Sequence, residues 1–388
     1  MIFTLKYYFL FVTATLLISG NPAYGQAEES TADSHPLTRA VENGLRPALI
    51  IKGGSIPKWN IHDRMAHFHV PGVCIAVINL GKIEWAKGYG VKEIGGNTPV
   101  TPETLFQAGS ISKPVTTLGT LQLVEKGALD LDAPVNDRLK SWNVPENEFT
   151  AKEKVTLRRL LSHTAGLSVS GFPGYADSDP IPTPVQILNG EKPANTAPVR
   201  VDLIPGSEWR YSGGGFVVIQ VLVADVTEKP FQDFMKETVL TPLGMTHSTF
   251  QQPLPQNLTP FAACGHDSNG KANTPRWRVR PELAPGGMWT TAQDLGRFVM
   301  ELQKSANGAS NKVISQAMTQ TMMKKVHSFY GLGLVLDGST NEDRSFSHSG
   351  GNEGYTCDFF GYIHRGQGLV VLTNSTTGGG LVEEIQHS

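Results

Sequence analysis

Hydrophobic and polar positions alternate with the period of β-strands near both ends of this chain. Near the N-terminal end, the runs VCIAVIN (73–79) and KIEWAKGYG (82–90) are separated only by Leu-Gly, which predicts a β-hairpin. Near the C-terminal end, four more strand-like runs follow between 330 and 374: YGLGLVL, RSFSHSG, YTCDFFGYI and GLVVLTN. Because the connections between successive runs are short, the pattern favours an antiparallel sheet.

Between these ends, apolar residues recur with the spacing of α-helices. The segments GGFVVIQVLVADVTE and TAQDLGRFVMELQ predict two helices, the second with Thr290 or Thr291 as its N-cap. A further helix is predicted after Ser110 and ends near Gly127, with one apolar face formed by Ile111, Val115, Leu118, Leu121 and Val124. The tail LVEEIQHS begins one more helix and stops early.

The order of these elements predicts an α/β (α+β) fold, in which one antiparallel sheet is flanked by helices and built from both chain ends. We expect an α/β lobe from about 40–130 and 285–388, and an inserted, mostly helical lobe from about 131–284. Both lobes belong to one expected domain, residues 26–388.

The first residues have the pattern of a secretory signal peptide. Lys6 is followed by an apolar run at 7–18 and by small residues before position 26. We expect residues 1–25 to be removed and the mature protein to be periplasmic or secreted. The alternative is an uncleaved membrane anchor, for which the apolar run is short. No later run reaches the length of a membrane span, so none is expected after signal removal.

The amino-acid composition and the net charge limit the classes of binding partner that we expect. Charged residues make up 18% of the chain and hydrophobic ones 39%, which is typical of a folded protein. The net charge is −2 and no run of lysines and arginines occurs, so no nucleic-acid partner is expected. Of three cysteines, Cys74 and Cys357 lie in strand-like runs and are expected to be buried thiols; one disulfide is left open.

The segment GSISK (109–113) places Ser110 and Lys113 three residues apart, on one side of a helix start. A serine is a poor nucleophile until a base takes its proton, and a desolvated lysine with a lowered pKa can be that base. The spacing alone is weak evidence, since SIPK (55–58) matches it too. That second match contains a proline and no amphipathic helix follows it.

Five further segments of the chain bear on the role of Ser110 and Lys113. In chain order, LLSHTAGL (160–167), PGSEWRYSGGGF (205–216), PLGMTHSTF, PGGMWTTAQDLGRF and HSGG (348–351) follow GSISK. Together they resemble the serine β-lactamase and penicillin-binding-protein superfamily, most closely its class C β-lactamase-like branch. That branch also holds D-Ala-D-Ala carboxypeptidases, D-aminopeptidases and esterases. The resemblance extends over about 71–374.

The resemblance implies catalytic roles for three side chains. Ser110 is the residue that becomes acylated, Lys113 helps to deprotonate it, and Tyr211 shares the proton transfers. The oxyanion hole of the family falls on the backbone N–H groups of Ser110 and Gly351, which are donors of the kind that stabilise a developing negative charge.

The third motif of the family falls on His348, Ser349 and Gly350, which are therefore expected to bind substrate. A histidine there titrates near neutrality, so we expect His348 to be a pH-dependent anchor for a substrate carboxylate. Where the family has an asparagine two residues after its tyrosine, this chain has Gly213. Both departures favour an esterase or a peptidase-like hydrolase over a dedicated β-lactamase.

The sequence thus predicts an exported serine hydrolase that acts through an acyl-serine on esters, D-amino-acid amides or peptides, or β-lactams. The alternatives are a class C-type β-lactamase, a D-Ala-D-Ala carboxypeptidase, a penicillin-binding module with slow turnover, and a non-catalytic scaffold. The expected partner is a small-molecule or peptide substrate, and the oligomeric state is left open. No cofactor or metal is expected, and His163 is interpreted as a structural histidine near the cleft.

Overall fold

The structure is a computed structural model that describes residues 36–50 and 52–388. The predicted signal peptide at 1–25 lies outside these residues, so its cleavage and the export of the protein stay predictions. Within the described residues, no helix is both long enough and apolar enough to cross a membrane.

A six-stranded sheet forms the centre of the fold, and all of its neighbouring strands are antiparallel. The strands of the described residues are β1 (Gly72–Asn79), β2 (Lys82–Gly90), β3 (Phe106–Gln107), β4 (Trp289–Thr290), β5 (Val335–Asp337), β6 (Ser345–Asn352), β7 (Tyr355–Tyr362) and β8 (Gly368–Thr373). The sheet order is β2-β1-β8-β7-β6-β5, while β3 pairs with β4 apart from it. The predicted fold class is therefore confirmed, since the sheet joins strands from both chain ends.

Helices cover both faces of this sheet and fill the middle of the chain. Before and after β1 and β2 they are α1 (Pro36–Glu42), α2 (Ile61–His67) and α3 (Ser112–Glu125). The middle of the chain has α4 (Leu157–Leu161), α5 (Pro184–Asn189), α6 (Gly213–Thr227), α7 (Phe231–Met235), α8 (Thr241–Leu243) and α9 (Leu283–Gly286). The last three are α10 (Ala292–Ala306), α11 (Gln316–Met322) and α12 (Gly379–Gln386). The lobe boundaries near 130 and 285 stay predictions.

The apolar run of β1 is buried on both of its faces. Cys74 and Ala76 point into the large core shared with α3, α6 and α10, while Val73 and Ile75 point into a smaller core with α2 and α12. Because successive side chains of a strand point to opposite faces, a strand covered on both sides reads as a continuous apolar run. The predicted hairpin of β1 and β2 is confirmed.

The ends of two predicted helices are fixed by polar side chains. The Oγ1 of Thr291 accepts a hydrogen bond from the N–H of Asp294 at 3.1 Å, so Thr291 is the N-cap of α10. Ser212 caps α6 in the same way through the N–H of Gly215 at 3.0 Å. The predicted buried thiols are also confirmed, because Cys74 and Cys357 are free and buried.

The strand predicted over YGLGLVL is shorter than expected, since only β5 at its end is a strand. Gly333 has a φ of +69°, and a Cβ built on it would lie 2.2 Å from the Oγ1 of Thr117 on α3. The chain therefore turns here to pack closely against α3, which the alternation of apolar residues does not reveal.

Candidate active site

The candidate nucleophile Ser110 lies in a short 3₁₀ turn, Gly109–Ile111, that leads directly into α3. Ser112 holds this turn because its Oγ donates to the carbonyl of Gly109 at 2.7 Å and accepts from the N–H of Met288 at 3.1 Å. Pro114 falls within the first turn of α3, where a missing N–H removes no helical hydrogen bond. The geometry thus tolerates a proline immediately after the candidate base.

Lys113 is a buried lysine, 2% exposed, in direct contact with the serine. Its Nζ lies 3.0 Å from the Oγ of Ser110 and 2.8 Å from the carbonyl oxygen of Pro285, and no carboxylate forms an ion pair with it in the described part of the chain. Burial lowers the pKa of Lys113 from 10.5 to about 7. At neutral pH a large fraction of this amine is therefore uncharged and able to accept a proton.

Tyr211 lies directly before Ser212, the N-cap of α6, and contacts Ser110. The Nζ of Lys113 is 4.8 Å from the centre of its ring. Burial raises the pKa of Tyr211 to about 12, although a hydrogen bond with Ser110 acts in the opposite direction. The phenol therefore stays protonated and can pass a proton between Ser110 and a leaving group.

The ring of His163 packs against the ring of Tyr211. The ring centroids of His163 and Tyr211 are 4.3 Å apart, and the Nδ1 of His163 accepts a hydrogen bond from the N–H of Ser212 at 3.1 Å. Burial holds the pKa of His163 well below its usual value, with Lys113 as a further cause. These contacts agree with the interpretation of His163 as a structural histidine near the cleft.

The strand β6 approaches the serine so closely that two positions must be glycine. A Cβ on Gly350 would lie 2.0 Å from the carbonyl oxygen of Ala108, and one on Gly109 would lie 2.7 Å from the backbone nitrogen of Gly351. Gly109 also has a φ of +53°. The backbone of Gly351 therefore lies against the turn that carries Ser110, and the oxyanion-hole role of the N–H groups of Ser110 and Gly351 stays a prediction.

The third predicted motif, His348 to Gly350, was expected to face the substrate, but its histidine is buried. Ser349 and Gly351 are exposed, but His348 points inward and is only 5% exposed. Its Nε2 is 3.1 Å from the hydroxyl of Tyr330, and its Nδ1 is 2.6 Å from the carbonyl oxygen of Ser349. Both ring nitrogens are thus used within the protein.

The expectation that His348 titrates near neutrality is wrong. Burial lowers its pKa to about 3, and the nearby Lys113 acts in the same direction. Because Nδ1 faces a carbonyl, it carries the ring proton and donates, while Nε2 accepts from Tyr330. His348 is therefore a neutral residue that fixes β6 rather than a charged anchor for a carboxylate. Contacts of Ser349 and Gly350 with a substrate stay predictions.

A cavity of about 290 Å³ opens beside the serine. Ser110, Lys113 and Gly351 line it together with Phe172, Arg280 and Glu282. The cavity is therefore bounded by the proposed nucleophile, the proposed base and one of the two proposed oxyanion donors, as a site for acyl transfer requires. Among the described residues, no group of three or more His, Cys, Asp or Glu side chains is arranged to hold a metal ion.

Comparison with known proteins agrees with this geometry. Residues 59–386 match the family model described as Beta-lactamase. The chain belongs to the Beta-lactamase family. It is 27% identical over 316 residues to penicillin-binding protein 4* of Bacillus subtilis (strain 168), covering 76% of this chain and 66% of that protein. It is 23% identical over 315 residues to protein flp of Staphylococcus aureus (strain N315), of whose length it spans 60%.

Solved structures show the same fold. The octameric penicillin-binding protein homologue from Pyrococcus abyssi superimposes with a TM-score of 0.66 and 26% identity, over 82% of this chain and 72% of that one. The D-amino acid amidase from Ochrobactrum anthropi SV3 gives a TM-score of 0.67 and 23% identity, over 84% of this chain and 94% of that one. The predicted membership of the β-lactamase and penicillin-binding-protein superfamily is confirmed.

Gly213, which stands where the family has an asparagine, has no room for a side chain. A Cβ on Gly213 would lie 2.9 Å from the carbonyl oxygen of Ser170 and 3.0 Å from the ring of Phe172. The N–H of Gly213 donates to that same Ser170 carbonyl at 3.2 Å. The segment around Ser170 thus fills the space, and the Phe172 ring lines the cavity in place of an amide.

Sequence reasoning gave no role to Glu282, Phe172 or Tyr330. Glu282 stands between apolar residues and prolines in PELAP, which is a weak sign of a buried carboxylate. Nothing local distinguishes Phe172 or Tyr330 from an ordinary aromatic side chain, because their contacts are with distant parts of the chain.

Proposed function

We propose that this Beta-lactamase family member is a serine hydrolase that cleaves esters and amides through an acyl-serine intermediate. The observation that supports the proposal most strongly is the 3.0 Å contact between the Oγ of Ser110 and the Nζ of Lys113, a buried amine. A buried, unpaired lysine destabilises a fold, so its retention beside a serine favours a catalytic use. Export to the periplasm or the medium stays a prediction from the N-terminal sequence.

In the proposed reaction, the Oγ of Ser110 attacks a carbonyl carbon while its proton passes to the neutral Nζ of Lys113. The N–H groups of Ser110 and Gly351 hold the oxyanion that forms. The proton then reaches the leaving group through the phenol of Tyr211, and the bond to the leaving group breaks. Water attacks the ester on Ser110 in the same manner, releasing the acid and restoring the hydroxyl.

The surroundings of the serine support esters and amides as the main substrates. His348 is neutral, so it offers no charge to a β-lactam carboxylate, and Gly213 has no side-chain amide to contact the substrate amide. One observation favours the alternative of a β-lactamase or D-Ala-D-Ala carboxypeptidase. Arg280 is a buried cation that lines the cavity, and among the described residues only the Nη1 of its guanidinium has a hydrogen-bond partner, the carbonyl oxygen of Phe172 at 2.7 Å.

The proposal is tested with a short-chain nitrophenyl ester, a D-Ala-D-Ala peptide and a chromogenic cephalosporin. We expect steady turnover of the ester, and a mass increase equal to the acyl group in rapidly quenched protein, mapped to the peptide that contains Ser110. A fluorescent penicillin distinguishes a binding module, which would give a burst of labelling without steady hydrolysis. Absence of both turnover and adduct with every substrate would reject the proposed function.

Tyr211→Phe is expected to lower kcat by about 10²- to 10⁴-fold, the usual contribution of a positioned proton-transfer group. The ring remains in contact with His163 and Lys113, so KM and the thermal midpoint should change little. Steady-state kinetics on the ester check that kcat falls while KM stays the same. Tyr362→Phe, on β7 and remote from the cavity, is the control. An unchanged kcat in Tyr211→Phe would remove the phenol from the mechanism.

A further inference from the structure

A buried phenol beside the active site takes no part in the reaction described above. Tyr330 is 1% exposed, and it is not among the residues that line the cavity beside Ser110. Its hydroxyl lies 3.1 Å from the Nε2 of His348. Burial raises the pKa of Tyr330 well above its ordinary value, and Tyr211 acts in the same direction. The phenol therefore keeps its proton and donates a hydrogen bond to the histidine ring.

Backbone hydrogen bonds fix the chain on both sides of Tyr330. Its N–H donates to the carbonyl oxygen of His327 at 2.8 Å, which closes a tight turn. Further along, the N–H of Gly333 donates to the carbonyl oxygen of Leu161 at 2.8 Å, at the end of α4. Gly333 also lies directly against α3. The phenol is thus attached to a segment that packs on two helices, which is the kind of support that a positioning residue needs.

The ring of Tyr330 lies close to the aromatic side chains that surround Tyr211. Its centroid is 5.1 Å from that of His163 and 5.8 Å from that of Trp209. His163 in turn packs against Tyr211, with 4.3 Å between the centroids. These contacts do not involve the hydroxyl of Tyr330, so a phenylalanine at this position would keep them. Among the described residues the hydroxyl has one hydrogen-bond partner, which is His348, and its effect can therefore be separated from that of the ring.

The histidine that accepts this bond belongs to the part of β6 that faces the serine. β5 pairs with β6 only from Ser345 to Ser347, so beyond that point β7 is the one strand that pairs with β6 in the described part of the chain. The Nδ1 of His348 donates to the carbonyl oxygen of Ser349 at 2.6 Å. Backbone groups of residues two apart in a strand point to the same edge, so this carbonyl and the N–H of Gly351 share one edge. The ring therefore bonds the backbone next to the proposed oxyanion donor.

We propose that Tyr330 is a positioning residue for the acyl transfer: its hydroxyl orients the ring of His348, and the ring holds β6 so that the N–H of Gly351 points at the oxyanion. This inference rests on the proposed function and adds to it a residue that touches no substrate. With both ring nitrogens bonded, the histidine has one tautomer and one orientation. Without the phenol, Nε2 would be a buried acceptor with no partner, which is unfavourable, so the ring and the strand would shift.

Tyr330→Phe keeps the ring and removes the hydroxyl. For p-nitrophenyl acetate we expect kcat to fall about 10- to 100-fold, because a displacement of about 1 Å at a group that stabilises the transition state has an effect of this size. KM should stay within about threefold of the wild type, because the side chain does not line the cavity. Steady-state kinetics measure both constants. A larger KM with an unchanged kcat, or no change in either constant, would overturn the proposal.

Tyr89→Phe is the matched control. Tyr89 is 4% exposed, and its hydroxyl lies 3.1 Å from the Oε1 of Glu42. It is on β2, the strand at the edge of the sheet opposite β5, and is therefore remote from Ser110. Both variants lose a buried hydrogen bond, so both should lower the thermal midpoint by a few degrees. Only Tyr330→Phe should lower kcat. An equal loss of kcat in Tyr89→Phe would show a general effect of lost stability and refute the positioning role.

A double-mutant cycle with His348→Asn tests whether the hydroxyl acts through the histidine. Asparagine removes the ring that receives the hydrogen bond from Tyr330. If the hydroxyl acts only through that ring, Tyr330→Phe should change kcat by less than about twofold in the His348→Asn background. Losses that multiply in the double variant would show that the hydroxyl acts by another route, and would contradict the proposal.

The amide resonance of Gly351 reports the position of β6 and needs no turnover. Protein whose glycines are labelled with nitrogen-15 is compared between the wild type and the variants. Gly351→Ala assigns the resonance, since a Cβ on Gly351 meets nothing within 4 Å beyond its chain neighbours. We expect this resonance to move in Tyr330→Phe and to stay in place in Tyr89→Phe. An unmoved resonance in Tyr330→Phe would refute the inference even in an active enzyme. If no substrate is hydrolysed but the resonance moves, the proposed function fails while the positioning of β6 by Tyr330 stands.

Discussion

Ser110→Ala is expected to abolish hydrolysis of every substrate that the wild-type protein turns over, with kcat lowered by about 10⁴-fold or more. Alanine has no hydroxyl to form the acyl ester, and among the described residues no side chain other than Ser110 forms a hydrogen bond with the Nζ of Lys113. The fold should persist, because Ser110 is half-buried and Lys113 keeps the carbonyl oxygen of Pro285 as an acceptor. Initial rates and intact mass check both the loss of turnover and the loss of the adduct.

The chain provides its own control for this variant. Ser55 is the serine of the second Ser-x-x-Lys match and lies on an exposed segment. Ser55→Ala should keep wild-type kinetics and thermal midpoint. The two variants together then show that activity depends on where the Ser-x-x-Lys pair lies in the fold and not on its spacing alone. Residual turnover in Ser110→Ala above about a tenth of the wild-type rate would show that another residue carries the acyl group.

Lys113→Met is expected to remove activity and to stabilise the protein. Burial lowers the pKa of Lys113 from 10.5 to about 7, so the folded state binds fewer protons than the unfolded state between these values. The free energy of unfolding of the wild type therefore rises with pH from about 7 to 10.5, and below pH 7 the full penalty of the buried ammonium remains. A methionine of similar length carries no such penalty.

The gain in thermal midpoint for Lys113→Met should consequently be larger at pH 6 than at pH 9, as differential scanning calorimetry can measure. In the wild type, kcat/KM for a neutral ester should increase with pH up to about 7 and then level off, because the uncharged amine is the base. Lys126→Met, an exposed residue just beyond α3, is the control and should show neither effect. A midpoint that falls equally at both pH values would contradict the assignment of a destabilising buried lysine.

Much of the fold could be predicted from local patterns. The hairpin of β1 and β2, the helix after Ser110 and the Thr291 cap of α10 each depend on residues close together in the chain. The serine and lysine were also recognisable, because a spacing of three residues at a helix start brings them together without help from the rest of the molecule. Tyr211 needed the resemblance to a family, since it lies about a hundred residues away in the sequence.

Burial of polar groups could not be predicted in the same way. His348 was expected to titrate near neutrality, but burial lowers its pKa to about 3, and the nearby Lys113 acts in the same direction. Glu282 was given no role from the sequence, yet it is buried beside the cavity, in a segment held by the hydrogen bonds of Gln220. In both cases the neighbours that decide the charge come from distant parts of the chain.

The amino-acid sequence by itself determined the antiparallel sheet with its helices and the pairing of Ser110 with Lys113, because periodicity and short spacings act over a few residues. Only the tertiary structure decided which groups are charged and which cavity they line. Desolvation depends on all the atoms that surround a group, and those atoms are assembled only when strands and helices from the whole chain pack together.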